Sequence, residues 1–83
     1  MTSNKLILID NPDRNGWCHM VSSNLGDLHE FAKLIGLSRR WFHNKPYRPH
    51  YDVRDGMITK ALNAGAKRVS RKELLMFLKE NYE

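Results

Sequence analysis

Residues 39–54 read RRWFHNKPYRPHYDVR, and this stretch decides how the rest of the chain is arranged. Pro46 and Pro49 exclude a continuous helix, because proline lacks the backbone N–H that a helix interior needs. No single helical or strand period runs through all sixteen residues. The stretch therefore predicts a long irregular loop between two regular halves, with one short strand at Tyr51 to Val53. Long loops inside small domains are often functional.

The residues before this loop predict two strands and a helix. Lys5 to Ile9 is an aliphatic, β-branched run, and Trp17 to Ser22 is a second strand. The six residues from Asn11 to Gly16 are rich in turn formers, which favours an antiparallel pair. The helix begins after Asn24 as its cap and ends at Gly36. Its apolar stripe consists of Leu28, Phe31, Ala32 and Ile35.

The residues after the loop predict a second helix, a brief strand and a third helix. Asp55 is the expected cap of the second helix, which Gly65 closes. Lys67 to Val69 is the strand, and Ser70 with Glu73 forms a capping box for the last helix. The element order β-β-α-loop-α-β-α predicts one α/β (α+β) domain over residues 1–83. We expect a mixed sheet of three to four strands carrying three helices.

Composition limits the function classes. The 83 residues carry a formal net charge of +5 with a pI near 9.7, which favours anionic partners. A single cysteine, Cys18, excludes an internal disulfide and a cysteine-cluster zinc site. No apolar run approaches the roughly 18 residues of a membrane span, so no membrane partner is expected. We expect a cytoplasmic location, in a bacterial cell or a phage-infected host cell.

The central stretch combines cations with aromatic rings. It holds four Arg, one Lys, two His and four of the eight aromatic residues of the chain, against one acid. Guanidinium groups bind phosphate oxygens in pairs, and aromatic rings stack on bases. We therefore predict that the loop binds a phosphorylated, nucleotide-like ligand. The expected binding residues are Arg39, Arg40 and Arg48 for phosphates, Tyr47 or Tyr51 for a base, His50 for the sugar or phosphate, and His43 and Asp10 beside them.

Five residues form the only set suited to acid–base or metal chemistry, namely Asp10, His19, His43, His50 and Asp52. In an extended segment, the spacing His50-x-Asp52 places both side chains on one face. The spacings match no strong metal signature, and a structural role for Asp52 as a cap or ion-pair partner is favoured. The sequence therefore predicts no bound metal, no cofactor and no catalytic residue.

The chain also resembles a small bacterial and phage family that is catalogued only as a domain of unknown function. The stretches that carry the resemblance are Leu28 to Ala32, Ile35 to Leu37, Trp41 to His43, Pro49 to Val53, Ala64 to Ala66 and Val69-Ser70. The family usually opens with a strand ending in one or two Asp, whereas here Asn11 follows Asp10. The resemblance implies the element order above but no activity.

The sequence favours binding of a phosphorylated nucleotide-like molecule without conversion, for example to sequester a signalling nucleotide. A dimer interface is one way for so small a domain to complete its pocket. Two alternatives use the same residues: a metal-dependent phosphoesterase or nuclease with Asp10, His50 and Asp52, and a nucleic-acid-binding module that adds the cluster from Lys67 to Lys72. An enzyme needs the acids and histidines to converge, and a nucleotide binder needs a concave pocket with arginines at its rim. A nucleic-acid binder needs both basic clusters on one face.

Overall fold

The computed structural model describes residues 6–83 and opens with two antiparallel strands. Strand β1 spans Ile7–Ile9 and β2 spans Trp17–Ser22, with Ile7 opposite Ser22 and Ile9 opposite Met20. Both predicted strands are thus present, and Lys5 lies outside the described residues. The Asp13 carboxylate holds the turn between them, since it accepts the backbone N–H of Asn15 at 2.8 Å and of Trp17 at 3.0 Å.

Helix α1, Leu25–Leu34, begins and ends where the sequence predicts. The Asn24 side chain accepts the backbone N–H of Asp27 at 2.9 Å, which satisfies one of the free donors at the helix start. Gly36 adopts a φ of 82°, the left-handed conformation that ends many helices. Leu28, Ala32 and Ile35 are buried and Phe31 packs beside them, so the predicted stripe faces the core.

The prediction of a long irregular loop after α1 is wrong. A single 3-10 turn, Arg39–Trp41, leads into strand β3, Phe42–Lys45, and strand β4, Arg48–Arg54. In β4, buried Pro49, Tyr51 and Val53 alternate with more exposed residues, which is the strand period. Pro49 is tolerated because the pairing of β4 with β2 stops at Tyr51. The prolines exclude a helix but not this hairpin.

The last three elements follow the predicted order. Helix α2 spans Gly56–Asn63, strand β5 spans Lys67–Arg68, and helix α3 spans Arg71–Tyr82. The predicted capping box at the start of α3 is present. Asp55 does precede α2, but its side chain does not cap the helix. The Asp55 carboxylate instead accepts a hydrogen bond from Arg54 Nε at 3.1 Å.

The five strands form one mixed sheet in the order β3-β4-β2-β1-β5. All neighbours are antiparallel except β1 and β5, which are parallel. The α/β class with three helices is confirmed. The sheet has five strands rather than three or four, because the predicted short strand at Tyr51 to Val53 is part of the longer β4 and β3 pairs with it.

Each face of the sheet carries its own apolar cluster. Side chains alternate between faces along β1, so Ile7 and Ile9 point to one side and Leu8 to the other. On the first face, residues of α1 and α2 pack with Cys18, Met20, Tyr51 and Val53. On the second face, Leu74 and Leu78 of α3 pack on Leu8 and Val21.

Helix α3 has apolar partners only over part of the second face. The apolar residues of that cluster come from β1, β2, Val69 and the length of α3, whereas β3 and β4 present polar side chains on the same face. Those polar side chains give a helix nothing apolar to bury. The edge of α3 therefore borders an open, polar half of the sheet. Within residues 6–83, no helix is long and apolar enough to span a bilayer.

Candidate functional site

Strand register brings the acids and histidines into adjacent rows on the α3 face of the sheet. Asp10 follows β1, and its backbone N–H donates to the carbonyl of His19 at 3.2 Å. His19 lies opposite Asp52, and His43 lies opposite His50. Directly paired side chains on one sheet face lie about 4.5–5.5 Å apart at Cβ. Residues separated by up to 42 positions in sequence thus become neighbours on one surface.

Asp10 is the buried anion of this surface, with none of its area exposed. Its Oδ1 accepts the backbone N–H of His19 at 2.6 Å, and its Oδ2 accepts His19 Nδ1 at 2.9 Å and Arg71 Nε at 3.0 Å. Burial raises the pKa of Asp10, but the hydrogen bonds from His19 and Arg71 outweigh it and hold the pKa below 3.8. Asp10 is therefore a carboxylate at neutral pH.

His19 responds to the same pair in the opposite direction. Its hydrogen bond to the Asp10 carboxylate raises its pKa above 6.5, against the effect of burial. The ring is held at Nδ1 by Asp10, so Nε2 is the nitrogen left for another partner. His19 also lines the neighbouring cleft, and 27% of its side chain is exposed.

His50 is held by its own strand. Its Nδ1–H donates to the backbone carbonyl of Arg48 at 2.8 Å, because a carbonyl oxygen can only accept. Burial lowers the pKa of His50, which favours the neutral ring, although the Arg48 carbonyl and Asp52 oppose this shift. Its Nε2 faces Asp52 Oδ1 at 3.3 Å. The orientation of this ring is thus set by the backbone.

Asp52 joins the second and third histidines of the cluster. Its Oδ2 lies 2.8 Å from Nε2 of His43, while its Oδ1 faces His50. The rings of His43 and His50 stack with centroids 5.3 Å apart, and the rings of His19 and His50 meet edge to face at 5.2 Å. The sequence predicted a role for Asp52 as a cap or ion-pair partner, and its partners in the structure are two histidines.

A cleft of about 260 Å³ lies between this cluster and α3. Its polar lining consists of His19, Lys45, Arg48, His50 and Arg71, and its apolar wall consists of Leu74, Leu75 and Leu78. In the described part of the chain, no acidic residue lines it. The cleft is therefore positively charged on one side and apolar on the other.

The three arginines predicted to act together do not meet at this cleft. Arg48 lines it, but Arg39 places its guanidinium 5.7 Å from the ring centroid of Phe42, which packs on the opposite face. Arg40 lies over Trp41 at 5.8 Å. Arg39 lines a second cavity of about 300 Å³ together with His29, Glu30, Lys33, Leu37 and Tyr51.

The two predicted stacking residues also separate. Tyr51 is 1% exposed in the core between the sheet, α1 and α2, and its hydroxyl pairs with His29 Nδ1 at 2.8 Å. It has no free ring face for a base. Tyr47 is 61% exposed at the tip of the β3–β4 hairpin, between Lys45 and Arg48 in sequence. Of these two residues, Tyr47 has the exposed ring, and it precedes Arg48 of the cleft in sequence.

The cleft contains functional candidates that the predicted binding set lacks. Arg71 opens α3 and reaches Asp10, and Lys45 ends β3 beside Arg48. His19 was expected only as one of the acid–base set. The sequence contains one signal for the position of His19. Along β2, Trp17, His19 and Val21 share the face opposite Cys18, and antiparallel pairing with β1 brings His19 opposite Asp10.

The site can bind an anion and can transfer protons. Arg48, Lys45 and Arg71 supply fixed positive charge, and His19, held at Nδ1 by Asp10, supplies a titratable ring beside them. Asp10 contacts His19, and the His19 ring meets the His50 ring edge to face at 5.2 Å, so an acid and two histidines lie side by side.

The sequence comparison agrees with the resemblance drawn from the motifs. Residues 7–81 match the family described as "Protein of unknown function (DUF4031)", which covers all but the ends of the chain. The expected relation to a small family of unknown function is confirmed. No curated protein and no solved structure matches the chain.

Proposed function

This chain belongs to the DUF4031 family, and we propose that it binds a small phosphorylated, nucleotide-like ligand in the cleft between α3 and the open sheet face. The observation that carries the proposal is the lining of the cleft. Lys45, Arg48 and Arg71 converge on a concave space whose lining contains no acid among the described residues. Guanidinium groups at a pocket rim suit phosphate oxygens, which they can bind in pairs.

The size of the cleft supports a small ligand. Its volume, about 260 Å³, is close to the lower end of ligand pockets, which begin at roughly 300 Å³. A phosphate and its sugar fit such a space, and the apolar wall of Leu75 and Leu78 covers the less polar part of a ligand. The exposed ring of Tyr47 is the surface on which a base stacks.

The location and assembly of the protein are further parts of this proposal. We place the protein in the cytoplasm, where the free, buried thiol of Cys18 stays reduced. A second copy of the chain would enlarge a shallow cleft, so the oligomeric state belongs in the same set of measurements. Sedimentation with and without nucleotide tests whether two copies share the ligand.

Titration calorimetry against mono-, di- and cyclic nucleotides is the test of ligand binding. Arg48→Ala and Lys45→Ala should each weaken binding at least about tenfold, because a hydrogen bond to a charged group contributes roughly 1.5–3 kcal/mol. Arg39→Ala and Lys60→Ala are the matched controls: they remove the same charge outside the cleft. Equal losses in all four variants would mean a general charge effect, and no binding by the wild type would end the proposal.

A second candidate function is hydrolysis of a phosphoester, and the convergence of Asp10, His19, His50 and Asp52 favours it. Hydrolysis adds water across the phosphorus–oxygen bond, and the leaving alcohol takes a proton. Release of inorganic phosphate or alcohol from the bound nucleotide, lost in His50→Gln, would replace binding without conversion by this reaction. Intact nucleotide recovered after prolonged incubation with divalent metal ions would exclude it.

A further inference from the structure

We propose that His19, His50 and Asp52 bind a divalent transition-metal ion of the zinc class beside the cleft, which His19 and His50 also line. One ligand atom from each of these residues lies within 4.8 Å of those of the other two. The sequence spacing matches no metal signature, because the three residues come from two strands and meet only through their register. The grouping of these three side chains is therefore visible in the structure but not in the sequence spacing.

The distance between two of the donors matches a tetrahedral site. Zinc binds imidazole nitrogen and carboxylate oxygen at about 2.0–2.2 Å, which places neighbouring donors about 3.3–3.5 Å apart. His50 Nε2 and Asp52 Oδ1 are 3.3 Å apart. These two atoms can therefore bind one ion with little movement of either side chain.

The hydrogen bonds behind the two histidines are those of metal ligands. A metal-binding histidine usually donates its second ring N–H to a carboxylate or a backbone carbonyl, which fixes the ring and leaves the other nitrogen for the metal. His19 Nδ1 has the Asp10 carboxylate at 2.9 Å, and His50 Nδ1 has the Arg48 carbonyl at 2.8 Å. In both rings Nε2 is therefore the nitrogen available to the ion.

Asp52, the third proposed ligand, also has a supporting contact, which His43 provides. His43 Nε2 contacts Asp52 Oδ2 at 2.8 Å, so this oxygen is occupied and Oδ1 is directed toward His50. A full set of supporting contacts thus surrounds the three proposed ligands. The alternative explanation is a simple ion pair between Asp52 and His43. That ion pair accounts for their contact but not for the position of His19, which Asp10 holds next to His50.

The donor set indicates the kind of ion. Two imidazoles and one carboxylate suit Zn²⁺, Co²⁺ and similar ions, whereas Mg²⁺ and Ca²⁺ prefer oxygen ligands. Three protein ligands leave a fourth position, as in catalytic rather than structural zinc sites. That position would lie beside the cleft lined by Arg48 and Arg71, where an anionic oxygen could complete the coordination.

Metal binding by untagged protein tests the proposal without any nucleotide. We expect titration calorimetry with Zn²⁺ to give one site, and Co²⁺ to give visible absorption of four-coordinate type. His50→Gln and Asp52→Asn should lower the metal affinity by more than about 100-fold, and Asp10→Asn by about 10–100-fold, the range for residues that orient ligands. Asp52 is partly exposed, so its substitution leaves the core intact.

Two control variants remove the same groups elsewhere. His29→Gln and Asp55→Asn lie outside the cluster and should leave the affinity for Zn²⁺ unchanged. Lys45→Ala, which weakens ligand binding, should also keep the metal, so the two proposals can fail separately. Absence of a stoichiometric site, or a site that His50→Gln and Asp52→Asn leave unaltered, would overturn the proposal.

Discussion

Asp10 is the residue on which the geometry of the site depends. Its buried carboxylate accepts a backbone N–H and the side chains of His19 and Arg71, and so joins β1, β2 and α3. The backbone carbonyl of the same residue accepts Arg68 at 3.1 Å. One residue at the end of a strand therefore fixes the position of a ring, a helix start and the wall of the cleft.

We predict that Asp10→Asn destabilises the fold. The amide keeps the size of the side chain but presents N–H groups where two donors now point, and hydrogen bonds to a charged group are worth roughly 1.5–3 kcal/mol each. The free energy of unfolding in urea should therefore fall by at least about 1.5 kcal/mol. Arg71→Ala is the comparison: half of this side chain is exposed, so its loss should cost only about 0–1 kcal/mol. Equal costs would show that the carboxylate has no special role.

His29 gives a pH dependence whose sign can be stated. Burial and the nearby Arg39 lower its pKa below 6.5, and its Nδ1 contacts the Tyr51 hydroxyl. The unfolded chain thus binds the proton more readily than the folded chain. The stability from the neutral ring is complete above pH 6.5 and is lost as the pH falls from there.

We therefore predict that His29→Gln makes stability less sensitive to acid. Urea midpoints of wild type and variant at about pH 7.5 and about pH 5.5 provide the measurement. The wild type should lose more stability on acidification than the variant does. His19, whose raised pKa acts in the opposite direction, is present in both proteins and cancels in the comparison. A larger loss in the variant would contradict the burial of neutral His29.

At the scale of elements, the sequence predicted those whose signals are local. Asn24, Gly36 and the Ser70–Glu73 box mark helix ends by hydrogen bonds within one turn, and each lies where it was expected. Of the β3–β4 hairpin, only the part of β4 from Tyr51 to Val53 was predicted, because the polar side chains of the hairpin face an open half of the sheet. A strand that buries one face and exposes charged side chains on the other has a sequence rich in charge. If only the charged residues are considered, such a sequence resembles that of a loop.

The same limit applies to the site. Arg48, His50 and Tyr47 were predicted from composition, and Arg48 and His50 line the cleft, but composition cannot tell one face of a strand from the other. Tyr51 adjoins His50 in sequence, yet the pleat turns its ring into the core. The partners contributed by α3 depend on how the helix crosses the sheet, which no local pattern encodes. Predicting which side chains are neighbours across two strands requires the strand register. For His43 and His50 that register follows from the β3–β4 hairpin, which was not predicted as a whole.

We predict that Tyr47→Gly stabilises the β3–β4 hairpin and weakens ligand binding. Tyr47, which follows Pro46, has a φ of 62°, in the left-handed region where glycine is preferred. Relief of about 1–2 kcal/mol of left-handed strain exceeds the roughly 0.5–1 kcal/mol entropic cost of glycine. Urea unfolding should show a gain of up to about 1 kcal/mol, with lower nucleotide affinity in calorimetry.

Pro46→Ala provides the control with the opposite sign in stability. It frees the preset φ of the neighbouring turn position and should destabilise by about 0.4–1 kcal/mol. The ring of Tyr47 remains, so nucleotide affinity should change little. If Tyr47→Gly gained stability without losing affinity, the ring would have no part in binding.

At the scale of the molecule, the two faces of the sheet differ in composition: one is mainly apolar and the other carries the polar and charged side chains. The face under α1 and α2 buries most of the apolar residues, including Cys18 and Tyr51. The other face buries a smaller cluster under α3 and leaves the histidines, Asp52 and the cations accessible. Because the first face supplies most of the core, the second can hold groups that would be costly in a protein interior.

The net charge of +5 affects every binding measurement, so salt dependence must separate a pocket from a charged surface. A protein that covers single-stranded nucleic acid releases counterions at each phosphate contact, and its affinity falls with a logarithmic slope of about −0.7 per contact. Among residues 6–83, three fixed cations line the cleft, namely Lys45, Arg48 and Arg71, and its volume is small. We predict a shallow salt dependence for nucleotide binding, and weak, steeply salt-dependent binding to oligonucleotides. Parallel salt titrations with both ligand classes provide the measurement.

Submicromolar oligonucleotide affinity at physiological salt, with no nucleotide bound, would instead favour a nucleic-acid-binding module. Arg71 belongs both to the cluster from Lys67 to Lys72 and to the lining of the cleft, so it would connect the two groups of cations into one surface.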